Sequence, residues 1–159
     1  MPELDMLHVV YGMGFSLLGA ILCVGMHYEG LNLLERVARW ESHWLRRPRP
    51  RLLLIMMGVV LLHTLEIWAM AGLYAAMAEG LGLGGLQVAP GVAAGFTLWD
   101  YVYFSGVMYT SLGLGDIIPH GTFKILAATE ALVGLILIAW SASFTYLLMQ
   151  RLWGKDGLR

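Results

Sequence analysis

The stretch Tyr103-Phe104-Ser105-Gly106-Val107-Met108-Tyr109-Thr110-Ser111-Leu112-Gly113-Leu114-Gly115-Asp116-Ile117-Ile118-Pro119 decides the fold. Its first half is aromatic and apolar and reads as a short helix ending at Thr110-Ser111. Its second half alternates leucine with glycine. Glycine enters the left-handed region at no steric cost, so Gly113 and Gly115 are free to take positive φ between neighbours that do not. Such alternation turns successive carbonyls to one side. Ser111, Leu112, Gly113 and Leu114 would then present their peptide oxygens along one line, joined by the Ser111 hydroxyl. Bare carbonyls at membrane depth are tolerated only where they face a water- or ion-filled axis. Rings of them replace the water shell of a monovalent cation. One strand forms one side of such a ring, so the axis needs several copies in cyclic symmetry.

Composition places this stretch in a membrane. Of the 159 residues, 58% are apolar and 13% are charged, about half the charged share of a soluble domain. A formal net charge of −1 and the high hydropathy exclude a disordered or nucleic-acid-binding chain. The single cysteine, Cys23, excludes a disulfide framework and multi-cysteine metal sites. Crossing a bilayer core takes roughly 20 helical residues. Three apolar runs suffice: a first transmembrane helix over 7–28, an outer one over 52–79 and an inner one over 122–150. No Lys or Arg precedes the first run and no small-residue cleavage pattern follows it, so it reads as a membrane helix rather than a leader. A fourth run, over 97–110, is too short to span and suits a re-entrant helix.

Of the ten Lys and Arg residues, six lie between the first two spans and three follow the last. By the positive-inside rule the first loop and the C-terminus are cytoplasmic and the N-terminus lies outside. The short run then enters from the outer side and returns to it. Within the first loop, Leu31, Leu34, Ala38 and Leu45 share a side, which predicts an amphipathic helix over 30–46 in the headgroup region. A helical extension of the first span is the alternative. The uncharged, Gly-rich segment over 80–95 reads as a flexible turret.

Ionisable groups inside the spans need partners or water. Glu66 lies mid-way along the second span with His63 one turn before it, and Glu130 lies two turns into the third. The expectation is a buried cluster behind the short helix in which His63, Glu66 and Glu130 meet each other or hydroxyls of that helix such as Tyr109 and Thr110. It serves either as a pH sensor or, the preferred reading, as a static brace. Metal chemistry at His63 and Glu66 lacks further ligands and a His-Glu-x-x-His motif. His8, His27, His43 and His120 fall at or beyond helix ends. Ser105, Ser111, Ser141 and Ser143 therefore lack a second histidine for a dyad, and no enzyme is expected. Ile136, Ala139, Ser143 and Leu147 share one face of the third span, as a pore lining would. Tyr103 is placed to donate its hydroxyl to Asp116.

Ser111-Leu112-Gly113-Leu114-Gly115-Asp116 resembles the Thr-Val-Gly-Tyr-Gly-Asp signature of pore-loop potassium channels. Small bacterial members also share His-x-x-Glu-Ile in the outer helix, here His63 to Ile67, and Trp-Ser-Ala in the inner helix, here Trp140 to Ala142. The closest part of the likeness, Phe96 to Met149, covers about a third of the chain. The resemblance implies an all-α membrane protein, homotetrameric, with three transmembrane helices, a re-entrant pore helix over 97–110 and a selectivity filter over 111–116. It implies potassium held at Ser111, Leu112, Gly113 and Leu114, with Thr110, Gly115, Asp116, Tyr103 and Phe104 in support. It also implies a gating hinge at Gly134, for which close helix packing is the equal alternative. The family's filter Tyr is Leu114 here, and its usual pore-helix partner is Phe104, so an apolar contact replaces a hydrogen bond. The function implied is a potassium-selective cation channel. The alternatives are a non-selective or sodium-permeable channel, or a non-conducting scaffold subunit. No cofactor beyond permeant potassium is expected, nor any partner beyond lipid and further copies of the chain, and no organic substrate. A bacterial inner membrane is the expected location. No span carries an arginine ladder, so no voltage sensor is expected.

Overall fold

The computed structural model describes residues 6–39, 48–88 and 96–153. Its elements run α1 (Met6–Arg39), α2 (Pro48–Ala75) closed by a π turn (Ala76–Gly80), β1 (Gly84–Val88), α3 (Leu98–Tyr109), β2 (Ile117–Gly121) and α4 (Phe123–Trp153). Three helices are long and apolar enough to cross a membrane.

Each long helix buries one stripe and turns mostly apolar side chains outward. On α1 the stripe is Gly12, Ser16, Gly19, Cys23, His27 and Leu31, at spacings of three and four. Small residues let helix backbones approach closely in a membrane, where lipid gives no hydrophobic drive to association. A Cβ at Gly12 would meet Thr122, the residue before α4, at 2.9 Å, and one at Gly19 would meet Met70 of α2 at 3.0 Å. On α2 the stripe passes through Ile55, Val59, Leu62, Glu66, Met70 and Tyr74, and Met77 of the π turn continues it. On α4 it passes through Phe123, Leu126, Ala127, Glu130, Leu137, Ser141 and Leu148. Both buried carboxylates therefore sit on contact faces, not on lipid faces.

The short α3 lies against α2 and α4. Its start is closed by Asp100, whose Oδ2 accepts from the Thr97 N–H and from Thr97 Oγ1 at 2.7 Å each. Those bonds hold the exposed Asp100 carboxyl below the usual carboxylate range. Tyr101, Phe104, Ser105, Val107 and Tyr109 are buried. Phe104 stands edge-on to Tyr74 with ring centroids 5.2 Å apart.

Two expectations are corrected. The amphipathic helix over 30–46 is not a separate element: α1 continues unbroken to Arg39, and positions 40–46 lie outside the described residues. No proline interrupts 27–39, and the α1 contacts with α2 carry on past the apolar run: Gly30 faces Leu62, and Leu31 packs with Val59 and Leu62. At ~1.5 Å per residue the helix is about 51 Å long, well beyond the ~30 Å hydrocarbon core. The turret is likewise ordered in part. β1 pairs antiparallel with β2, Gly84 opposite Gly121 and Val88 opposite Ile117, so a two-stranded sheet joins an otherwise helical chain. Thr122 Oγ1 adds a bond to the Leu83 carbonyl. The sheet ties the end of α2 to the start of α4.

Candidate functional site

The row from Ser111 to Asp116 starts from a helix cap. The Ser111 N–H bonds to the Met108 carbonyl at 2.8 Å and the Leu112 N–H to the Val107 carbonyl at 3.0 Å. This is the pair of bonds that ends a helix through a left-handed residue. That residue is Ser111, at φ +57°, the one non-glycine with positive φ among the described residues. Gly113 follows at +57° and Gly115 at +78°. Left-handed backbone thus recurs at every second position of 111–115. Thr110 Oγ1 donates back to the Gly106 carbonyl at 2.8 Å. The Ser111 hydroxyl turns toward α4, donating to the Ala131 carbonyl at 3.3 Å. It is engaged there rather than free along the row.

The row is open on one side. Leu112 is 63% exposed and Leu114 57%. Phe104 is enclosed against Tyr74. At the outer end, the Tyr103 hydroxyl donates to Asp116 Oδ2 at 2.7 Å, and Asp116 Oδ1 accepts from the Ile117 N–H at 3.0 Å. The Tyr103 bond is the main cause that holds the Asp116 carboxyl below its ordinary range.

Behind α3 the buried polar groups form two clusters, not one. In the first, Tyr109 donates to Glu66 Oε2 at 2.5 Å. His63 Nδ1 lies 3.2 Å from the same oxygen and 2.7 Å from the Tyr109 hydroxyl. His27 Nδ1 lies 2.9 Å from Glu66 Oε1. Ser141 Oγ of α4 sits 3.1 Å from His63 Nε2 and 3.3 Å from His27 Nε2. Trp140 covers the His27 ring at a centroid distance of 5.3 Å. In the second cluster, Glu130 accepts from Tyr74 at 2.7 Å and from Ser105 at 2.6 Å, and Ser105 Oγ also lies 2.9 Å from the Ile67 carbonyl. Glu66 and Glu130 share no hydrogen-bond partner, so the expected single cluster of His63, Glu66 and Glu130 is corrected. Thr110 joins neither. The carboxylates sit on different helices, and α3 offers each its own hydroxyl.

Four participants were not foreseen: His27, Ser141, Tyr74 and Ser105. Taken as a span over 7–28, the first helix puts His27 at its end, whereas α1 runs on to Arg39. The spacing Gly12, Ser16, Gly19, Cys23, His27, Leu31 would have shown it mid-helix on the contact stripe. Tyr74 lies eight residues beyond Glu66 on the α2 stripe, a signal present in the sequence. The oxygen and nitrogen atoms of His27, His63 and Glu66 come within 4.8 Å of one another, close enough to share a metal ion.

On α4, Ile136, Ala139, Ser143 and Leu147 are all exposed in the single chain. Gly134 is buried where α4 passes the end of α3, and a Cβ there would overlap the Tyr109 carbonyl. The helix runs through it without interruption.

A family model described as ion channel matches residues 52–151. The match takes in nearly all of α2, α3, the 111–116 row and α4 up to Arg151, and leaves α1 outside. No curated protein and no solved structure matches the chain.

Proposed function

The chain belongs to the ion channel family whose model covers 52–151, and from that premise we propose a homotetrameric integral membrane channel selective for potassium. Four copies would set their 111–116 rows around one axis, with α3 as the re-entrant pore helix. Carbonyls of Ser111, Leu112, Gly113 and Leu114 would replace the ion's water shell. The exposed face of Ile136, Ala139, Ser143 and Leu147 would line the conduit below. By the charge asymmetry of the loops, α1 enters from outside and the C-terminus is cytoplasmic.

One observation carries this reading: the left-handed backbone at Ser111, Gly113 and Gly115. Backbone that changes hand at every second exposed position pairs with no neighbouring strand, whereas an ion path lined by carbonyls uses that alternation. The test is reversal potential in liposomes holding the purified protein under opposed potassium and sodium gradients. A reversal near the potassium equilibrium potential is expected. A reversal midway means a non-selective channel. That outcome has a structural reason in Leu114 and Phe104, neither of which offers a hydrogen bond to brace the row. Absence of current across pH and voltage identifies a scaffold subunit.

A further inference from the structure

We propose that His27, His63 and Glu66 form a binding site for one divalent transition-metal ion of the Zn²⁺ class, held between α1 and α2 within the membrane. Two imidazole nitrogens and a carboxylate are the donor set of zinc and its neighbours. Calcium and magnesium take oxygen. All three groups reach one point: His27 Nδ1 and His63 Nδ1 approach opposite oxygens of Glu66 at 2.9 and 3.2 Å. The Tyr109 oxygen, 2.7 Å from His63 Nδ1, stands by as a fourth neighbour.

The hydrogen count supplies a second, independent reason. With Glu66 ionised and both imidazoles neutral, each ring has one N–H. With both hydrogens on Nδ1, they face Glu66 and Tyr109. Two Nε2 atoms then face Ser141 Oγ, at 3.1 and 3.3 Å, and one hydroxyl hydrogen serves only one of them. A buried acceptor without a hydrogen is costly, so in this arrangement the cluster has a place for one more cation, a metal ion or a proton. A metal on the Nδ1 atoms removes the deficit. Each ring then carries its hydrogen on Nε2, and both donate to the two lone pairs of Ser141. Metal-bound histidines generally have their second nitrogen fixed in this way. The complex keeps one net positive charge in apolar surroundings, which lowers affinity without changing ligand choice. Entry is past His63, whose side chain is 17% exposed, whereas His27 and Glu66 are fully enclosed.

His27 belongs to α1, outside the 52–151 match, so the complete ligand set is a property of this chain. The inference does not depend on conduction. The experiment is metal uptake by the purified full-length protein in detergent, stripped with chelator and dialysed against Zn²⁺. One ion per chain is expected. His27→Gln and Glu66→Gln should lose it, Ser141→Ala should weaken it about 10–100-fold, and the exposed His120→Ala should retain it. Uptake unchanged in His27→Gln and Glu66→Gln, or no uptake by the unaltered protein, overturns the proposal; in the latter case an additional proton completes the cluster. Should the variants fail to fold, one equivalent of Cu²⁺ on the unaltered protein gives the answer by electron paramagnetic resonance. Two-imidazole hyperfine structure is expected, and its absence refutes the site.

Discussion

At the scale of single residues, the buried groups behind α3 follow one rule. Each carboxylate within the membrane is given hydroxyl or imidazole partners, because none is supplied by lipid. Tyr109→Phe removes the shorter of the two contacts to Glu66 Oε2 and leaves that oxygen to His63 alone. A loss of about 1–3 kcal/mol is expected, read as a lower thermal midpoint of the detergent-solubilised protein. At the outer mouth, the folded value of Asp116 is held below the ordinary aspartate value of ~3.9 by the Tyr103 bond. Its contribution is therefore fully present above that ordinary value and is lost as pH falls through the lower folded one. The thermal midpoint should show no Asp116-dependent change from pH 8 to 5 and an acid step below. Asp116→Asn should lack that step in a pH series of unfolding curves.

At the scale of elements, the reading of the sequence succeeded where a segment's own pattern was sufficient. The three long apolar runs and the short aromatic helix announce themselves by length and composition, and the Leu-Gly alternation announces its backbone. It failed where an element is defined by a distant partner. β1 and β2 are separated by all of α3, and no local signal in a Gly-rich loop shows that they pair. The inner half of α1 is polar enough to look like a surface helix, yet Leu31 and Ala38 are held by α2 and α4. Gly134 is a further case, since its sequence context fits a hinge as well as a contact. The α4 contact with α3 leaves no room for a side chain there. Gly134→Ala should cost about 1–3 kcal/mol through overpacking. Gly72→Ala, where nothing lies within 4 Å, should be neutral or stabilising by up to about 1 kcal/mol. Paired thermal melts of the two variants check this contrast.

At the scale of the whole molecule, the proposed channel needs more than one chain. Leu112, Leu114, Ile136 and Leu147, each more than half exposed on the row and on α4, would then face the shared axis. Native mass measurement in mild detergent should find four copies. A charge at the proposed conduit face, Ile136→Lys, should leave that mass unchanged while strongly reducing potassium flux in liposomes. The sequence by itself determined that this is a membrane protein, that it has three long apolar helices and a short aromatic one, and that Gly113 and Gly115 take positive φ. Each of those depends on local composition and on the steric freedom of glycine. Only the tertiary structure decided that Glu66 and Glu130 keep separate company, that His27 joins the first of them, and that Ser141 links two imidazoles. Those outcomes depend on which stripes of α1, α2 and α4 face one another, and helix rotation and offset are set by packing between residues far apart in the chain.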